Sequence, residues 1–265
     1  MELTVLGGSA AAPNGGDASA GYLIRSGETA ILLDCGSGVV SQLRARFEPR
    51  GLTAVVISHL HSDHTLDLIA LRYTLKYAPP GHGAPIPLHL PPGGADFADR
   101  LGAVFAVGDE AGKEFWGDVL TPTEYGPQLD ADAPLAIGAL TLRFAPMHHY
   151  IPVWAIRIED HVSGRVLTYS ADTGPASTLA DFAAGSDLLL CEATLLEQAP
   201  GSDPAHWGHL TAAQAGEIAT IAGVKHLVLT HLWAELGFDH YLAAARATFA
   251  GPIDTARAGL TLTVE

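Results

Sequence analysis

Residues 54–64 read AVVISHLHSDH. A run of apolar β-formers breaks, within six positions, into His59, His61, Asp63 and His64. This junction constrains the fold more than any other stretch of the chain. The apolar run reads as a buried strand, yet so much ionisable chemistry at its mouth points to a metal. Whatever the chain folds into must therefore bring a strand end to a rim where several polar side chains can meet.

The rest of the sequence repeats one grammar of short apolar runs cut by glycine and proline. LTVLG (3–7), GYLIRSG (21–27) and TAILLDCG (29–36) predict three strands that open a sheet. SGVVSQLRARFEP (37–49) and TLDLIALRYTLKYA (65–78) have helical spacing and end at prolines. Residues 79–135 are the least regular stretch, with one strand candidate, IPLHL (86–90), and helical patches near 95–107 and 109–119. The grammar then resumes with predicted strands LTLRFAPM (140–147), VWAIRIED (153–160), RVLTYSAD (165–172), SDLLLCEAT (186–194), KHLVLTH (225–231) and LTLTVE (260–265). Between them TAAQAGEIATIAG (211–223) and HYLAAARATFAG (240–251) predict helices. Two similar halves, about 1–135 and 136–265, predict one α/β domain in which two sheets pack face to face with helices outside, a four-layered αββα sandwich.

The histidines and selected acids fall where these strands end. His148 and His149 follow LTLRFAPM, Asp172 closes RVLTYSA, and His231 closes KHLVLT. Four separate strands thus end in metal-capable side chains, so folding could gather them on one rim. Imidazole with carboxylate suits Zn²⁺ and related divalent ions, with Mn²⁺ or Fe acceptable to the same donors. Thiolates, which mark closed structural zinc sites, are absent from the set, leaving room for water. His59 and His61 point the same way in an extended segment, while Asp63 and His64 turn around a second centre. The donors exceed the needs of one tetrahedral ion and predict two ions sharing a carboxylate and a hydroxide.

Composition narrows the substrate. Fourteen Lys and Arg face 29 Asp and Glu, a net charge of −15, and no basic cluster appears. Phosphate contacts from basic residues supply most nucleic-acid affinity, so a large nucleic acid is not expected and a small-molecule substrate is. No apolar run reaches the ~18 residues of a membrane span, and the start MELTVLGGS shows no signal-peptide pattern. Two distant cysteines, Cys35 and Cys191, fit a cytoplasmic protein without a disulfide.

SHLHSDH, with His149, Asp172 and His231 following in order, resembles the HxHxDH pattern of the metallo-β-lactamase fold hydrolases, and the resemblance spans essentially the whole chain. It implies that His59, His61 and His149 hold one metal, that Asp63, His64 and His231 hold the second, and that Asp172 bridges. His149 is preferred to His148 because Ala155 falls where the family places a small residue. Asp34 in LLDCG matches an acid that supports the ligands in this fold. CEAT (191–194) and GHLTAAQAGEIA (208–219) look like the ribonuclease Z and small phosphodiesterase branch, in which a glutamate holds a histidine that acts on the phosphoryl group. Glu192 and His209 take those positions, although Cys191 and Leu210 depart from the pattern. By the same resemblance Asp63 orients or deprotonates the nucleophile.

Ribonuclease Z itself is disfavoured, because only 22 residues separate His149 from Asp172, too few for a tRNA-clamping arm. The expected activity is cleavage of small, including cyclic, phosphodiesters. The rivals are a lactonase or another ester or amide hydrolase, ribonuclease Z-type cleavage, and a non-catalytic metal-binding protein. The irregular segment is expected to build the substrate wall, with Phe105, Phe115 and Trp116 as stacking candidates, and the branch suggests a homodimer.

Overall fold

The computed structural model describes residues 1–81, 83–106, 112–126, 134–198, 201, 203 and 206–265. The first sheet holds β1 (Glu2–Gly7), β2 (Gly21–Ser26), β3 (Thr29–Leu33), β4 (Ala54–Val56), β5 (Ile86–Leu90) and β6 (Leu120–Glu124). The second holds β7 (Leu135–Ile137), β8 (Leu140–Pro146), β9 (Trp154–Asp160), β10 (Val166–Tyr169), β11 (Leu188–Glu192), β12 (His226–Thr230) and β13 (Ile253–Thr255). The last strand, β14 (Thr261–Thr263), returns to the first sheet beside β1. Both sheets are seven-stranded, ordered β14-β1-β2-β3-β4-β5-β6 and β13-β12-β11-β10-β9-β8-β7. Read from β14 in the first sheet and from β7 in the second, each runs through three antiparallel steps and then three parallel ones.

The apolar runs have this form because successive side chains on a strand serve opposite faces. In β3, Ile31 and Leu33 enter the core between the sheets, whereas Ala30 and Leu32 face an outer core. In β11, Leu188 and Leu190 point between the sheets, whereas Leu189 and Cys191 face the other outer core. A strand covered on both sides must be apolar throughout, so β3 and β11 are buried along their length.

The first outer core is closed by α1 (Val39–Arg44), α3 (Leu68–Tyr77), α4 (Gly94–Phe105) and α5 (Gly112–Gly117). The second is closed by α6 (Leu179–Phe182), α7 (Ala212–Ala222) and α8 (Phe238–Arg246). Thr211 and Gln214 form a capping box at the start of α7, and Gly223 ends it in the left-handed conformation at φ 64°. Gly216 lets α8 come close, since a Cβ there would lie 2.7 Å from the Ala245 carbonyl oxygen. Helix, sheet, sheet, helix is the αββα sandwich.

Several boundaries differ from expectation. The helix expected over 65–78 is α3, starting at Leu68, and a separate short helix that was not expected, α2 (Ser62–Thr65), precedes it and carries Asp63 and His64. The helix expected over 37–49 keeps helical form only in α1. Strands β6, β7 and β13 were not evident in the sequence. The helical patch near 109–119 lies partly outside the described residues. Among the described residues no helix is long and apolar enough to cross a membrane.

Candidate metal centre

Both sheets deliver side chains to one rim. The loop after β4 carries His59 and His61, and α2 carries Asp63 and His64. His149 follows β8, Asp172 follows β10 and His231 follows β12. Three non-glycine residues that follow strands have positive φ: Asp34 after β3 at 55°, Ala171 after β10 at 50° and His231 after β12 at 58°. Such backbone costs free energy and persists where the surroundings hold it, commonly at functional sites. Here it occurs at His231, at Ala171 next to Asp172, and at Asp34, the partner of His64.

Two groups of donors converge, each with its ligand atoms within 4.8 Å of one another. In the first, His59 Nε2 and His149 Nε2 each lie 3.2 Å from His61 Nδ1, and Asp172 Oδ2 lies 3.7 Å from His59 and 3.8 Å from His149. In the second, His231 Nε2 is 3.0 Å from Asp63 Oδ2 and 3.4 Å from Asp172 Oδ2. His64 Nε2 is 3.5 Å from Asp63 Oδ2 and 3.4 Å from Asp172 Oδ1. Asp172 belongs to both groups. His149 stands in the first group and His148 does not.

The outer nitrogen of four of these rings is already engaged, which sets which nitrogen faces inward. His149 Nδ1 donates to the Gly208 carbonyl at 2.7 Å. His64 Nδ1 donates to Asp34 Oδ2 at 2.7 Å. The Ser58 hydroxyl gives its proton to Asp34 and so accepts from His59 Nδ1 at 3.1 Å. The Thr194 hydroxyl gives its proton to Glu192 and so accepts from His231 Nδ1 at 2.7 Å. Each of these four rings therefore turns its Nε2 to the centre.

These residues fit a metal on the structure's own terms. His64 Nε2 and Asp172 Oδ1 are buried with no hydrogen-bond partner. Two buried polar atoms that face each other without a hydrogen bond are costly unless a third group satisfies both. A divalent cation satisfies both, and an all-N/O donor set suits it.

Burial and neighbouring imidazoles hold His59 well below the ordinary histidine range, and burial lowers His61 and His149 as well. His64 is buried too, but Asp172 and Asp34 outweigh that and raise it. Burial would raise the Asp172 carboxyl, yet the surrounding histidines, led by His231, hold it well below the usual range.

Beside the donors lies a second assembly. Glu192, fully buried at the end of β11, accepts on one oxygen from Thr173 N at 2.7 Å and His209 Nδ1 at 2.9 Å. Its other oxygen accepts from the Thr194 hydroxyl at 2.8 Å and from the Thr194 and Leu210 amides at 3.3 Å. One carboxylate thus joins the loop after Asp172, the support of His231 and the loop carrying His209. Burial opposes a charge on His209, but Glu192 chiefly, with Asp172 and Asp63, pushes its pKa up to about 9. The ring stacks on His231 with centroids 5.5 Å apart and meets His149 at 4.9 Å.

The expected substrate wall is corrected. Phe115 and Trp116 are buried in the outer core of the first sheet, and the Trp116 indole donates to the Ala98 carbonyl at 2.8 Å. Neither presents a face to a substrate. Phe105 is partly exposed at the end of the outer-layer helix α4.

Other residues at the site had no sequence signal. Tyr169 donates to Asp34 Oδ2 at 2.8 Å from the opposite sheet. Asn14 donates to the Leu232 carbonyl at 2.9 Å and accepts from Ala234 N at 3.0 Å, clamping the strand end that carries His231. Asn14 sits in a glycine-rich loop whose sequence, PNGG, reads only as a turn.

An αββα sandwich with such a donor rim between its sheets defines a metallohydrolase. The chain belongs to the β-lactamase superfamily: the profile of the Beta-lactamase superfamily domain matches residues 29–232. It is 33% identical to an uncharacterized protein of Mycobacterium tuberculosis, over 96% of this chain and 88% of that one. It is 31% identical to a ribonuclease Z of Mycobacterium bovis, over 96% of this chain and 95% of that one. The crystal structure of the metallo-β-lactamase fold protein YhfI from Bacillus subtilis superposes with a TM-score of 0.82 at 27% identity, covering 99% of both chains.

Proposed function

We propose that this metallohydrolase cleaves small phosphodiesters, cyclic nucleotides among them. The observation that carries the reading is the Glu192–His209 pair, 2.9 Å apart, at the edge of the donor cluster. Both an ester and a phosphodiester expel an alkoxide, but a phosphodiester already carries a negative charge on its non-bridging oxygens, and a protonated, buttressed imidazole offsets that charge as well as serving the leaving oxygen.

Ions held by the two donor groups would supply Lewis acidity and a water-derived nucleophile near neutral pH. The chain's own residues do the rest. Asp63 accepts the proton of the attacking water. His209, whose Nδ1–H is held by Glu192, gives the proton on Nε2 to the leaving oxygen opposite the attack. Glu192 fixes the tautomer and direction of that ring. Water adds to phosphorus, one P–O ester bond breaks, and the products are a phosphomonoester and a free hydroxyl.

Two features support a small substrate over tRNA. The stretch between His149 and Asp172 is taken up by the β9–β10 hairpin, whose strands pair from Val166–Glu159 to Tyr169–Ile156. The chain also carries a net charge of −15, unfavourable to a polyanion. The test is a parallel screen of metal-loaded protein against 2′,3′- and 3′,5′-cyclic nucleotides, bis(p-nitrophenyl) phosphate, lactones, a β-lactam and a precursor tRNA. Turnover of the small phosphodiesters is expected. Turnover confined to lactones, the β-lactam or the tRNA would overturn the reading.

A further inference from the structure

Tyr150, next to the ligand His149, has no part in the chemistry above, and its setting is unusual. The residue is 66% exposed, among the most exposed large aromatic residues described. Yet one side of the ring is seated. Its centroid lies 4.9 Å from that of His149 and 5.7 Å from that of His209. It also rests on Gly208, where a Cβ would fall 2.5 Å from the Tyr150 Cζ and within 2.8 Å of both adjoining ring carbons. Only a glycine at 208 leaves room for the ring in this position. The same glycine's carbonyl holds His149 Nδ1 at 2.7 Å, so one residue seats the ring and orients the ligand beside it.

An aromatic ring exposed to water is ordinarily free to turn. This one is held at the lip of the donor cluster, against both a ligand and the histidine that faces the leaving group, with its remaining surface bare. A fixed ring with a free face is a stacking platform for a planar group, and base–aromatic stacking tolerates any base. We propose that Tyr150 is the specificity-determining platform that binds the planar base of a nucleotide substrate while its phosphodiester lies at the donor cluster. This rests on the phosphodiesterase reading and narrows it to substrates with an aromatic base near the scissile phosphorus.

The experiment compares two substrates on the metal-loaded protein, a 2′,3′-cyclic nucleotide and the base-free glycerol 1,2-cyclic phosphate. In Tyr150→Leu the preference for the nucleotide, as the ratio of the two kcat/KM values, is expected to fall roughly tenfold, with the loss in KM. Tyr150→Phe should retain the preference, because the ring and not the hydroxyl carries the contact. Calorimetric binding of a nucleoside monophosphate against a base-free sugar phosphate should show the same contrast without turnover. An unchanged ratio in Tyr150→Leu, or an equal loss on both substrates, would overturn the platform while leaving the phosphodiesterase reading intact. Failure of the unsubstituted protein to cleave either phosphodiester would overturn that reading and the platform with it.

Discussion

The two sheets are built to the same plan, yet they furnish the rim differently. The first contributes His59, His61, Asp63 and His64 from one stretch after β4. The second contributes His149, Asp172 and His231 from three separate strand ends. The first set is positioned by local chain geometry, an extended pair followed by one helical turn. The second depends on the β8–β9–β10–β11–β12 pairings holding register, and on loops that clamp the strand ends. The first half therefore carries a ready-made cluster of side chains, and the second completes it with residues whose only common property is where their strands stop.

The sharpest test of this contrast is the residue common to both donor groups. Asp172→Ala should abolish turnover and strip metal from both groups, measured as metal content per chain, whereas His61→Ala should empty one group only. Equal losses in the two variants would break the distinction. His209→Ala comes next, with turnover of bis(p-nitrophenyl) phosphate falling roughly 10²- to 10⁴-fold, as for loss of a general acid, while metal content holds. A parallel loss of metal would place His209 among the supports and not the chemistry.

Supporting residues should have smaller effects. Asp34→Ala removes the partner of His64 on the first-sheet side, and Asn14→Ala loosens the strand end bearing His231. Loss of such supports typically weakens metal affinity about 10- to 100-fold. Competition with a chelator would check this, and a larger effect for Asn14→Ala would mean the second half depends more on its clamps.

The smallest effect concerns how the halves are joined away from the rim. Asp160, buried at the end of β9, accepts from Ser26 of β2 at 2.7 Å. Burial would raise its carboxyl, but the hydrogen bonds from Ser163, Ser26 and Val162 outweigh that and bring it down to about 2. A carboxyl lower when folded than unfolded stabilises above its ordinary pKa and loses that contribution as pH falls toward the folded value. Asp160→Asn should therefore cost about 1 kcal/mol near neutrality, a difference that shrinks between about pH 4 and about pH 2. Urea titrations of both proteins across that range would measure it, and a constant difference would assign the effect to packing.

Much of this was legible in the chain alone, and the reasons are physical. A strand covered on both faces must be apolar throughout, so β3, β4, β11 and β12 announce themselves. Strands β7 and β13, three residues each, and β6, interrupted by Pro122, carry too little apolar pattern to read. Phe115 and Trp116 misled because an aromatic in an irregular segment has the same sequence signature at a pocket wall as in an outer core.

Sequence by itself determined the donor chemistry, because ligand type and the spacing 59-61-63-64 are covalent facts, and it determined the two-sheet architecture through the period of its apolar residues. Only the tertiary structure decided which ring nitrogens turn inward, that Asp172 faces both groups, that Thr194 meets His231 while Asn14 braces the loop after it and Tyr169 braces Asp34, and that Tyr150 is seated against Gly208. The longest of these relations joins residues 220 positions apart, and chain geometry alone does not set such distances. They exist only once the two sheets close against each other and bring their strand ends to one rim.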